Sequence, residues 1–183
     1  MKKTLVLFAS GSGSNATNVY NHFKDHPTIE VVALFCNNAQ AGIIGKIPID
    51  TVVFDRQTFN DKDKFLEIIG EYKPDLVALL GFLWKVPEYL VNTYKIVNLH
   101  PAILPKFGGK GMWGHFVHQA VKAAGDRETG ITIHWVNSEY DKGEIIAQYK
   151  CQLDELDTIE TIGEKIHLLE QQWLPITLEA ILR

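Results

Sequence analysis

Thr4-Leu5-Val6-Leu7-Phe8-Ala9 runs directly into Ser10-Gly11-Ser12-Gly13-Ser14-Asn15, and a helical pattern over Asn15–Phe23 follows at once. An unbroken apolar run of this length fits a strand covered on both faces. Glycines let a backbone turn tightly and approach a ligand closely. A helix that starts there presents free N–H groups and the positive end of its dipole, a natural seat for phosphate. Ser14 or Asn15 is also a suitable helix cap. The loop lacks the Gly-Lys-Ser/Thr ending of a P-loop, and fits only the looser dinucleotide spacing Gly11-x-Gly13-x-x-Ala16. A tight turn without a ligand is the plain alternative.

Outward from this opening, apolar β-branched runs alternate with helical patterns. Strands are expected at Thr4–Ala9, Glu30–Cys36, Thr51–Phe54, Leu76–Leu80, Ile96–Leu99, Gly130–Val136 and Ile145–Gln152. Helices are expected at Asn15–Phe23, Lys62–Tyr72, Pro87–Asn92, Gly114–Ala124 and Thr158–Leu182, with Pro175 breaking or kinking the last. This alternation reads as βαβ units and an α/β fold with a mainly parallel sheet. Asn37–Pro48 is at the lower limit for a parallel crossover, so any helix there is very short.

Asn98 and His100 stand two apart at the end of the fifth strand, so they share a face. Ligands in open α/β sheets bind beyond the carboxyl ends of the strands. An amide beside an imidazole is equipped to bind a developing oxyanion and move a proton; a polar strand end satisfied by the backbone is the plain alternative. Leu104–Gly111 follows as a glycine-rich loop. Asp141, in Asp141-Lys142-Gly143 between the last two strands, would orient His100 and raise its pKa if the fold brought them together, although read alone it is an ordinary turn.

The 183 residues suit one domain, 1–183, with a phosphate-binding half to about residue 100 and a loop-and-helix half after it. A net charge of −4 without a basic stripe argues against nucleic acid. Nothing approaches the ~20 apolar residues of a membrane span. The lysines at 2 and 3 precede too short an apolar run for a signal peptide. Cys36 and Cys151 lack metal-ligand spacing, and His115 and His118 lack a third ligand, so no metal is expected and a cytoplasmic location is.

Together the glycine loop, the Asn98-Leu99-His100-Pro101 segment with Leu104-Pro105, and Gly130 through Asp141-Lys142-Gly143 resemble phosphoribosylglycinamide formyltransferase over essentially the whole chain. The resemblance implies a Rossmann-like open sheet with antiparallel strands toward the C-terminal half. It implies formyl transfer from 10-formyltetrahydrofolate to glycinamide ribonucleotide in purine biosynthesis, by a monomer or homodimer. Asn98, His100 and Asp141 match the catalytic trio. Gly13, Ser14, Asn15, His167 and Glu170 match ribonucleotide contacts. Lys62, Leu83, Trp84, Lys85, Val86, Asn98, Asn137, Ser138, Glu139, Tyr140 and Asp141 fall where the family meets the folate. Trp84 and Ser138 depart from the family's usual basic and acidic residues. In the expected chemistry the Asn98 amide and a protonated His100 stabilise the oxyanion, while Asp141 keeps His100 charged and holds a relay water. Methionyl-tRNA formyltransferase and formyltetrahydrofolate deformylase share the trio, but carry a further domain for which this chain shows no sequence, and the former needs a basic surface.

Overall fold

The structure is a computed structural model describing residues 1–183. Seven strands form one sheet in the order β3-β2-β1-β4-β5-β6-β7. β1 (Lys3–Ala9), β2 (Ile29–Cys36), β3 (Asp50–Val53), β4 (Leu76–Leu79) and β5 (Ile96–His100) are parallel; β6 (Glu128–Trp135) and β7 (Ile145–Gln152) are antiparallel. The chain steps outward from β1 to β3, then returns to β4 on the other side of β1. The crevice between β1 and β4 is therefore the topological switch point, where such sheets receive ligands.

Side-chain alternation along β1 divides the core. Leu5, Leu7 and Ala9 pack with Val19 and Phe23 of α1 (Ser14–Phe23) and with Ile162, Ile166, Leu174 and Leu178 of α6 (Ile159–Leu182). Val6 and Phe8 point the other way, into a cluster built on Phe35, Phe54, Phe59 and Phe65. Phe59 belongs to α2 (Arg56–Asn60), a short helix that propensity alone does not reveal; the Asp55 side chain starts it by accepting from the Thr58 N–H at 2.7 Å. α3 (Lys62–Gly70) begins in the same way on Asp61, and α4 (Glu88–Thr93) and α5 (His115–Ala124) complete the set.

Of the break or kink expected at Pro175, the break does not occur: α6 runs through it. A proline removes the N–H that would reach the carbonyl four residues back. Here that carbonyl, on Gln171, accepts instead from Asn18 Nδ2 of α1 at 2.9 Å. A neighbouring helix thus satisfies the orphaned group. The short Asn37–Pro48 crossover contains no helix, only turns, with Ala41, Ile43 and Ile47 buried against the β1 face. No helix is long and apolar enough to cross a membrane.

Candidate active site

β5 is flanked by parallel β4 and antiparallel β6, and delivers Asn98 and His100 to the carboxyl edge of the sheet. Asn98 pairs in register with His134 of β6. His134 Nδ1–H donates to the Trp135 carbonyl at 2.8 Å, and in the neutral ring its Nε2 is then an acceptor. Asn98 Nδ2 therefore faces it, at 3.1 Å, which fixes the orientation of the amide. The second Asn98 N–H lies at a long 3.4 Å from Asp141 Oδ1 and remains available to a stronger acceptor.

The loop from Asn137 brings Asp141 back over β5. Gly143 makes this possible: a Cβ there would sit 1.6 Å from the Trp135 carbonyl oxygen. Asp141 Oδ2 accepts the Gly109 N–H at 2.8 Å and lies 3.6 Å from His100 Nδ1. Its Oδ1 lies 3.6 Å from His134 Nε2. Burial opposes its charge, but the His134 and His100 rings, when protonated, and the Gly109 N–H outweigh burial and hold the carboxyl below its usual range. His100 is 3% exposed and donates Nε2–H to the Phe107 carbonyl at 2.8 Å. Asp141 does raise the His100 pKa, but the expectation that it keeps His100 charged is corrected here. Burial pushes the ring down further than Asp141 and the Phe107 carbonyl pull it up, so the neutral imidazole is favoured.

A cleft of about 820 Å³ opens beside these groups. One end is the glycine loop. Gly13 has φ of 72°, and a Cβ on it would meet the Ile43 side chain at 2.4 Å, so only glycine fits. α1 has no side-chain cap. The N–H groups of Ser12 through Ala16 find no acceptor in the protein. Across from them on α6, Glu170 Oε2 accepts from Asn15 Nδ2 at 3.0 Å and lies 3.6 Å from His167 Nδ1. Burial raises the Glu170 pKa, partly offset by Asn15 and His167. Leu83 N–H donates to Ser10 Oγ at 3.2 Å, tying the β4 loop to the glycine loop across the switch point.

The formyl transferase family profile matches residues 3–178. Phosphoribosylglycinamide formyltransferase of Bacillus subtilis (strain 168) is 34% identical over 190 residues, covering 98% of this chain and 95% of that one. The structure of glycinamide ribonucleotide transformylase 1 from Geobacillus kaustophilus superposes with a TM-score of 0.90 at 30% identity, covering all of both chains. That of phosphoribosylglycinamide formyltransferase from Bacillus halodurans gives 0.86 at 32%, covering 98% and 95%. This chain belongs to the formyl transferase family.

In this formyltransferase the structure brings Asn98, His100 and Asp141 together. Asn15, His167, Glu170, Leu83, Trp84, Lys85, Val86, Asn137, Glu139 and Tyr140 line the cleft with them. Gly13, Ser14, Ser138 and Lys62 do not. Gly13 is buried beneath its loop; Lys62 is exposed at the start of α3. The basic group stacked on this wall is Arg56, whose guanidinium lies 4.2 Å over the Trp84 ring. Sequence reading missed Arg56 and His134. His134 alternates with Thr132 on a strand predicted correctly, but its partner is visible only once β5 and β6 are known to pair.

Proposed function

We propose that this chain transfers the formyl group of 10-formyltetrahydrofolate to the amine of N1-(5-phospho-D-ribosyl)glycinamide, giving the N-formyl product and tetrahydrofolate on the route to IMP. The observation that carries this reading is the convergence of Asn98, His100 and Asp141 on one cleft with the uncapped glycine loop at its end. The cleft is large enough for a drug-sized ligand and combines apolar walls with few convergent polar groups. The apolar Leu83–Val86 wall and the Asn137–Asp141 loop suit a flat heteroaromatic ring, so we assign Leu83, Trp84, Lys85, Val86, Asn98, Asn137, Ser138, Glu139, Tyr140 and Asp141 to the folate. Lys62 and Ser138, which do not line the cleft, are retained in that assignment on resemblance alone. The free N–H groups at Gly13, Ser14 and Asn15 suit the phosphate, and His167 and Glu170 suit the ribonucleotide.

The folate supplies an activated formyl group, and the rest of the chemistry is the protein's. Charge builds on the formyl oxygen as the amine attacks; the Asn98 N–H held only at long range by Asp141 is placed to receive it, a contribution of roughly 10²–10³ in rate. His100 starts neutral, with its proton on Nε2 toward Phe107 and Nδ1 open beside Asp141. His100 Nδ1 takes the proton shed by the attacking amine, giving an imidazolium whose two N–H groups face the Phe107 carbonyl and the Asp141 carboxylate, and then returns it to the leaving nitrogen. Asp141 stabilises that imidazolium and is positioned to hold a relay water. His134 orients Asn98. A cytoplasmic enzyme, monomeric or dimeric, is part of the same proposal, supported by two unpaired cysteines, one of them buried.

An absorbance assay of folate product, with and without glycinamide ribonucleotide, tests the assignment. Product only with the ribonucleotide is the expected result. Product without it would indicate a deformylase instead.

A further inference from the structure

The Asn37–Pro48 crossover is too short for a helix, and what it does instead bears on the phosphate. The segment folds as turns against the glycine loop. The Ile43 N–H donates to the Gly11 carbonyl at 3.2 Å, and the Ile43 side chain fills the space over Gly13. Three residues on, the exposed Lys46 reaches back, and its Nζ donates to the Ser12 carbonyl at 3.1 Å. That carbonyl is the only hydrogen-bond partner of the ammonium.

In a trans peptide the carbonyl and the following N–H point in opposite directions. Holding the Gly11 and Ser12 carbonyls on the crossover side therefore turns the Ser12 and Gly13 N–H groups to the opposite side. Those are N–H groups without an acceptor in the protein. A cation on a peptide oxygen also polarises the unit and strengthens its N–H as a donor. A positive charge next to the loop further favours a bound dianion.

We propose that Lys46 is a positioning residue for the phosphate of the ribonucleotide substrate, fixing the Ser12–Gly13 peptide so that its N–H faces the phosphate. This rests on the assignment of the glycine loop to phosphate made above. The crossover then contributes to affinity for the phosphate of the substrate.

The test is steady-state kinetics of wild type, Lys46→Ala and Lys46→Arg, with glycinamide ribonucleotide and with its dephosphorylated nucleoside. For Lys46→Ala, KM for the ribonucleotide should rise roughly threefold to tenfold. Its kcat and its KM for the folate should change less than twofold. Lys46→Arg should restore most of the affinity. The nucleoside should not distinguish the three proteins, and inorganic phosphate should inhibit Lys46→Ala more weakly than wild type. An unchanged ribonucleotide KM in Lys46→Ala, or an equal loss with the nucleoside, overturns the assignment of Lys46 alone. A wild type without ribonucleotide-dependent turnover overturns the functional reading, and this proposal with it.

Discussion

Asn98, His100 and Asp141 meet through side-chain atoms, so point changes read their roles. On the proposed mechanism Asn98→Ala removes the N–H that receives the formyl oxygen, and kcat should fall roughly 10²–10³-fold with a small change in KM. His100 titrates below the ordinary histidine range because burial dominates. The neutral form therefore survives to lower pH than in an exposed histidine, and the acid limb of kcat/KM should lie below the usual range. Asp141 raises the His100 pKa against burial. Asp141→Asn should thus move that limb to still lower pH, as well as slowing the reaction. A limb that moved upward would show that Asp141 does not act on His100 by charge. The pairing of Asn98 with His100 was legible from strand alternation, because a period of two depends on nothing distant. The approach of Asp141 was not, since it follows from Gly143 packing on Trp135 and from the Gly109 N–H, contacts made only in the folded chain. The net pKa of His100 was misjudged for the same reason: burial outweighs the carboxylate, and burial cannot be read from a turn motif.

At the level of elements, the first strand, glycine loop and first helix were readable because strand, breaker and amphipathic helix adjoin in sequence. Pro175 was not, because its outcome depends on a partner 157 positions earlier, Asn18, which supplies the hydrogen bond the proline cannot. Asn18→Ala should leave the Gln171 carbonyl unsatisfied and cost about 1–3 kcal/mol in chemical denaturation. No loss would mean that α6 bears its proline without help from α1. Gly13→Ala meets both a left-handed backbone and the Ile43 side chain. It should destabilise the fold by about 1–3 kcal/mol and weaken ribonucleotide binding. The same substitution at Gly45, also at positive φ but with nothing within 4 Å of its Cβ, should carry only the backbone part.

Across the whole molecule, the α/β class and mainly parallel sheet followed from the alternation of elements. The strand order did not, because nothing local says on which side of β1 the chain returns with β4. That order creates the crevice, and with it the meeting of the β1, β4 and β5 edges with α6. α6 is anchored at its start by Asp157, whose carboxyl is lowered to about 2, chiefly by its hydrogen bond from Lys165 and the Asp154 N–H. A folded-state pKa below the unfolded value gives stability that is present above the ordinary carboxylate range and is lost as pH falls towards about 2. Melting temperature should therefore fall across that acid window, and Asp157→Asn should flatten the fall.

Turnover of His100→Ala, Asp141→Asn and the double variant, each checked for native circular dichroism, tests most directly whether these residues carry the transfer of the formyl group. Groups acting as one unit are strongly non-additive. The predicted result is a fall in kcat of at least about 10²-fold for His100→Ala, with the double variant no slower than the slower single one. Near-full turnover by folded His100→Ala, or losses that simply multiply, would contradict the assignment of the catalytic centre.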